Sequence, residues 1–156
     1  MLNLNKQGYF PYTPSTNLLY GLDEALSMLL DEGLVNVFAR HRRLAYATQL
    51  AVAGWGLENL CVNPEEYSNS TTAVLMPEGH DADALRKIIL EKFNMSLGMG
   101  LGKVKGTVFR IGHIGDFNEL MMAGTLSGVE MGLSIARVPH TKGGVNAALE
   151  FLASSA

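Results

Sequence analysis

The sequence predicts an α+β fold: a small, mainly antiparallel sheet with helices packed on one face, preceded by two long helices. Three observations carry this reading. Leu18, Leu19, Leu22, Ala25, Leu26, Leu29 and Leu30 recur at helical spacing, and a second apolar stripe from Leu34 to Val52 follows almost without a gap. Residues 71–76 and 107–112 are short apolar runs with strand composition. Each is followed by an amphipathic stretch that opens on a capping residue.

The elements follow in order. Pro11 and Pro14 push the residues before them out of helical geometry, so residues 9–16 form an extended, aromatic-rich lead-in. The first helix runs for four turns and stops at Gly33. The second, about 20 residues and roughly 30 Å long, turns Leu34, Val37, Phe38, His41, Leu44, Ala45, Thr48 and Val52 inward and ends at Gly54 and Gly56 around Trp55. The strand at 71–76 is closed by Pro77, Glu78 and Gly79, and Asp81 caps a helix burying Leu85, Ile88, Ile89 and Phe93. Residues 95–101, interrupted by glycine, read as a short strand and then a loop.

After the strand at 107–112, Asp116 and Glu119 stand at capping-box spacing. They open a helix whose inward stripe is Leu120, Ala123, Leu126, Val129, Leu133 and Ala136. Gly124, Gly128 and Gly132 lower its helix propensity, so a neighbour is expected to pack closely on that face. A last helix covers about 143–153, after Pro139. The chain thus divides into a lead-in at 1–16, a two-helix segment at 17–54 that bridges to a domain outside this chain, and a small α+β domain at 55–156.

Composition narrows the function. With 47% apolar and 17% charged residues the chain is globular, and a net charge of −3 argues against nucleic acid as the main partner. No apolar stretch is long enough to span a membrane and no secretory signal opens the sequence, so a soluble, cytoplasmic protein is expected. The single cysteine, Cys61, excludes an internal disulfide and reads as a buried or half-buried small apolar residue.

The most informative stretch is Thr107-Val108-Phe109-Arg110-Ile111-Gly112-His113. Side chains alternate across a strand, so Phe109 and Ile111 face a core while Arg110 points to the opposite side. A guanidinium fork on a rigid strand suits bidentate capture of a carboxylate or phosphate. An arginine that only snorkels from a strand end is the alternative. His113, three residues on, reads best as a neutral imidazole bonded to a loop carbonyl. Gly98-Met99-Gly100-Leu101-Gly102 lacks the helix start and lysine spacing of a phosphate loop and reads as a flexible hairpin or a mobile loop. His41, His80, His113 and His140 show no metal-ligand spacing, and no metal is expected. His41, among Arg40, Arg42 and Arg43, reads as a solvated or ion-pairing face. No residue stands out as a catalyst.

Taken together, Gly8-Tyr9-Phe10-Pro11-Tyr12-Thr13-Pro14, Leu19-Tyr20-Gly21-Leu22 and Glu32-Gly33-Leu34 resemble one family. It is the serine–glyoxylate and alanine–glyoxylate aminotransferases, class V members of the fold-type I pyridoxal-phosphate enzymes. The resemblance continues through Arg40-His41, Trp55-Gly56-Leu57, Leu97-Gly98-Met99-Gly100-Leu101 and Phe109-Arg110-Ile111-Gly112-His113 to Gly143-Gly144-Val145. It is to the C-terminal part of such enzymes only, with the serine–glyoxylate branch nearest. It implies that Arg110 grips the α-carboxylate of the amino- or keto-acid substrate. It also implies that Thr13 reaches the cofactor phosphate of the neighbouring subunit, with the segment around Tyr12 lining the same region. Some relatives carry tyrosine at Phe10, which leaves no hydroxyl for that position here.

The family's cofactor lysine, the aspartate on the pyridine ring and the stacking residue all lie N-terminal to the Gly8–Pro14 segment. None of Lys6, Lys87, Lys92, Lys103, Lys105 and Lys142 has the matching context. The resemblance therefore implies a C-terminal domain of a transaminase, truncated relative to the family and inactive alone, with pyridoxal 5′-phosphate bound in the intact enzyme and none on this chain. Its partners are a small amino acid, a 2-oxo acid and a second copy in a homodimer. A stand-alone carboxylate-binding or dimerisation module is the competing expectation. The leucine-rich first helix is the expected exposed apolar surface.

Overall fold

The computed structural model describes residues 2–155, which form two compact units divided between Val37 and Phe38. The first unit opens with a short helix not foreseen in the sequence, α1 (Leu2–Lys6), and the extended lead-in follows it. Helix α2 (Thr16–Glu32) ends where expected, at a Gly33 with φ of 82° whose N–H bonds Leu29 O. No side chain of α2 is buried: Leu18 is 74% exposed, Leu22 54% and Leu30 68%. Its helical spacing is right, and its apolar residues face solvent in this chain.

Helix α3 (Leu34–Gly54) begins in the first unit and ends in the second. Its expected inward stripe holds from Leu44 through Thr48 and Val52, all fully buried. It fails at Leu34 and Phe38, which are exposed. The second unit thus takes in Phe38–Gly54 as well as residues 55–155, because Leu44, Ala47, Ala51 and Val52 are part of its core.

That unit is built on a four-stranded antiparallel sheet in the order β1-β2-β4-β3. The strands are β1 (Glu58–Asn59), β2 (Thr71–Leu75), β3 (Gly98–Met99) and β4 (Val108–Gly112). The two-residue β1 was not legible in the sequence. In register, Val74 faces Phe109 and Thr72 faces Ile111. These side chains point to one face and join the buried cluster formed by the helices.

Helix α4 (Ala82–Phe93) is capped by Asp81, whose carboxylate accepts from Asp83 N at 2.8 Å. It buries Leu85 and Ile89, leaves Ile88 and Phe93 half-buried, and stops at the left-handed Asn94. Helix α5 (Glu119–Ile135) corrects the expected capping box. The cap is Asn118, accepting from Met121 N at 3.0 Å, not Asp116. A side chain immediately before the helix has the reach that Asp116 lacks. Leu120 consequently lies outside the inward stripe at 83% exposed, and Met122 is buried instead.

The glycines of α5 divide by environment. A Cβ at Gly132 would lie 2.4 Å from Ile89 Cγ1, and one at Gly128 would lie 2.7 Å from Met95 Cε. Both allow α4 and the following turn to approach closely, as expected. Gly124 meets nothing within 4 Å. Helix α6 (Gly144–Ser154) begins against the fully buried Trp55, with a Cβ at Gly144 placed 2.4 Å from Trp55 Cδ1. Glu130 ties this corner together, accepting from Trp55 Nε1 at 2.7 Å, Gly143 N at 2.7 Å and Val145 N at 3.1 Å. Among the described residues, no helix is long and apolar enough to cross a membrane.

Candidate functional site

Arg110 is the third of five residues in β4, an interior strand. That position excludes the picture of an arginine snorkelling from a strand end. Its neighbours across the sheet are Ala73 on β2 and Gly98 on β3. Directly paired residues share a face, so the guanidinium is flanked by a methyl group on one side and a hydrogen on the other. Phe109 and Ile111 face the buried cluster, as the alternation predicted.

The arginine is half-buried, and its Nε donates to Met99 O at 2.9 Å. This bond uses one of the five guanidinium N–H groups and fixes the plane of the fork. Among the described residues no carboxylate pairs with Arg110, so both Nη atoms are free to receive an anion. A Cβ at Gly98 would lie 3.0 Å from Arg110 Cβ and 3.1 Å from its Nε. Glycine at 98 therefore lets the side chain lie along β3. The glycine-rich stretch is a hairpin, β3 passing through a 3-10 turn at Gly102–Val104 into β4.

His113 does not join Arg110. It is fully buried and projects to the core side of the sheet. Its Nδ1 lies 3.1 Å from Asn69 O, so that nitrogen carries the proton. Its Nε2 accepts from the Thr72 hydroxyl at 2.9 Å. This is the neutral, carbonyl-bonded imidazole expected from sequence. Burial is the first cause of its lowered pKa, with a smaller contribution from the charge of His41.

The basic run on α3 has a role that the sequence did not reveal. Arg40 Nη1 donates to Gly115 O at 2.7 Å and to Phe117 O at 3.2 Å, while His41 Nε2 accepts from Gly115 N at 3.2 Å. Arg43 pairs with Glu119 and donates to Leu152 O at 3.4 Å. Together they hold the segment leaving β4 against α3. The sequence signal was only a cluster of charge, and its partners lie between 74 and 109 positions away.

Thr13 and Tyr12 belong to the first unit, in the extended segment between α1 and α2. Both are exposed, Tyr12 by 80%. Among the described residues, no group of three or more His, Cys, Asp and Glu side chains could hold a metal ion.

The chain is 51% identical over 149 residues to the serine–glyoxylate aminotransferase of Methylorubrum extorquens, covering 95% of this chain and 37% of the relative. It is also 51% identical over 146 residues to the serine–glyoxylate aminotransferase of Arabidopsis thaliana, covering 92% of this chain and 36% of the relative. Its fold is similar to that of pyridoxamine–pyruvate aminotransferase from Mesorhizobium loti, with a TM-score of 0.88 and 33% identity over 94% of this chain and 38% of that one. The chain thus spans less than two fifths of the length of these relatives. No protein-family model matches it.

Proposed function

Because the chain belongs to the class V, fold-type I pyridoxal-phosphate aminotransferases of the serine–glyoxylate and alanine–glyoxylate kind, as their C-terminal part, we propose that it supplies the substrate-carboxylate clamp of such an enzyme. The observation that carries this reading is Arg110: mid-strand, braced at Nε by Met99 O, flanked by Ala73 and Gly98, and without a carboxylate partner among the described residues. The relatives are named for different amino donors, serine and pyridoxamine, and for the acceptors glyoxylate and pyruvate. Both acceptors are small 2-oxo acids whose constant feature is a carboxylate, the group a guanidinium fork recognises. The proposed reaction moves an amino group from a small amino acid, such as serine or alanine, to glyoxylate or another 2-oxo acid.

Pyridoxal phosphate supplies the electron sink for this chemistry when it is bound. The residues described here fit the substrate's carboxylate. They do not fit covalent anchorage of the cofactor, since all six lysines are exposed. In this proposal Arg110 holds the substrate's carboxylate through its two Nη groups, and so fixes where the substrate's α-carbon stands. The hydroxyl of Thr13, with Tyr12 beside it, meets the cofactor phosphate of a neighbouring subunit, which makes the working assembly a homodimer.

Two measurements test this. Mixed with pyridoxal phosphate, serine and glyoxylate, the 156-residue chain alone gives no turnover, and measurable turnover would overturn the assignment. In a full-length enzyme carrying this segment in place of its own C-terminal part, Arg110→Ala removes two charge-assisted hydrogen bonds. The expected loss is about 3–4 kcal/mol, or roughly a few hundredfold in kcat/KM for glyoxylate. An unchanged kcat/KM would sink the clamp.

A further inference from the structure

A cavity of about 580 Å³ opens where α3, the 3-10 turn Pro64–Glu66 and the end of α6 meet. Arg42, Tyr46 and Gln49 line it from one face of α3, at spacings of four and three residues. Glu65 and Tyr67 line it from the turn, and Phe151 from α6. Arg43, next in sequence to Arg42, is neutralised by Glu119 and donates to Leu152 O. Glu66, next to Glu65, accepts from Asn63 Nδ2 at 3.1 Å. Arg42 and Glu65 have no such commitments. Neither side chain makes a hydrogen bond or an ion pair among the described residues, with the other or with any third group. Both are exposed, so a guest can reach them. One cavity thus presents a guanidinium and a carboxylate that do not neutralise each other.

We propose that this cavity binds an α-amino acid with an aromatic side chain, taken up as the zwitterion. Charge sets the first requirement. Opposite charges that share a space without pairing are complementary to a guest that carries both signs. The guest's carboxylate meets the fork of Arg42, and its ammonium meets Glu65. The walls set the second. Tyr46 and Phe151 meet edge to face, with ring centroids 4.8 Å apart and planes at 78°, and Tyr67 adds a third ring. A guest ring extends that aromatic cluster by the same kind of contact. Size agrees, because the volume falls within the roughly 300–1,000 Å³ of small-molecule sites and leaves room for a ring beside two charged ends. No lining residue belongs to a strand of the sheet, so the site stands whether or not Arg110 is the clamp.

Equilibrium dialysis of the 156-residue chain with radiolabelled L-phenylalanine as the probe tests this. Binding is saturable, and three competitors each lack one feature: 3-phenylpropanoate the ammonium, 2-phenylethylamine the carboxylate, and L-alanine the ring. Each competes at least about tenfold less well than unlabelled phenylalanine, the loss of about one charge-assisted hydrogen bond or of the ring's contacts. Arg42→Gln and Glu65→Gln each weaken binding by about tenfold. Both positions are exposed and uncommitted, so neither change should shift Tm. Folded Arg110→Ala binds phenylalanine as the unaltered chain does. The proposal is overturned if no saturable binding is found, if either single-charge competitor matches phenylalanine, or if Arg42→Gln or Glu65→Gln binds at full strength. Loss of binding in folded Arg110→Ala would place the amino acid at the clamp and overturn it equally. Should Arg110→Ala not fold, the variants at 42 and 65 decide the matter.

Discussion

Nδ1–H of His113 points at Asn69 O and Nε2 receives the Thr72 hydroxyl, so the folded chain needs this imidazole neutral. Burial holds its pKa below the free value of 6.5. A depressed histidine contributes stability that is complete above the unfolded pKa and declines as pH falls below it. The free energy of urea unfolding should therefore fall on going below pH 6.5, and His113→Gln should flatten that part of the curve. Glu130 answers at lower pH. Burial alone would raise its pKa, but donation from Trp55, Gly143 and Val145, with the charge of His140, brings it below 4.5. Its contribution is present above that value and is lost as pH falls through the lowered one. Glu130→Ala leaves the buried Trp55 N–H unpaired, which should cost about 1–3 kcal/mol in chemical denaturation. An unchanged midpoint would count against this role. The side of Arg110 was legible in the sequence because alternation along a strand is local. Glu130 was not, since its partners Trp55 and Gly143 stand 75 and 13 positions away.

Helix α5 offers a controlled comparison between two of its glycines, about two turns apart. Gly124 is exposed and open, so Gly124→Ala should stabilise the fold by about 0.5–1 kcal/mol through helix propensity. Gly132 is covered by Ile89, so Gly132→Ala should destabilise it by about 1–3 kcal/mol through overpacking. Equal effects in denaturant titrations would contradict the packing described. The sequence showed that these glycines needed a cause, and periodicity located the helix. Its phase was misread at the first turn because Asp116 and Glu119 imitate a capping box while Asn118 does the capping. On the hairpin, Gly98→Ala should push Arg110 aside without unfolding the sheet. In the full-length setting this should raise KM for glyoxylate with a smaller change in Tm, and an unaltered KM would argue that the guanidinium has room to spare.

At the scale of the whole molecule, α2 is a helix without a buried side. Propensity alone gives little stability to an isolated helix, and amphipathic helices owe most of theirs to packing. Its exposed leucines should therefore draw the 156-residue chain into concentration-dependent association, seen in sedimentation velocity. Leu22→Glu together with Leu26→Glu should return it toward the monomer. A monomer at all concentrations before substitution would refute this expectation. The fold class was readable because strand and helix periods are written in every few residues. What covers α2 was not, because a stripe of leucines has the same spacing whether or not anything lies against it.

The brace on Arg110 is a main-chain carbonyl, so the residue that provides it can change without the brace being lost. Position 99 could carry threonine, valine or leucine and still hold the guanidinium in the same plane, because only its peptide oxygen is engaged. The side chain at 99 lies on the face of Phe109, so such a change would leave the surface around the guanidinium as it is. The orientation of the fork is thereby insulated from mutation at its own support.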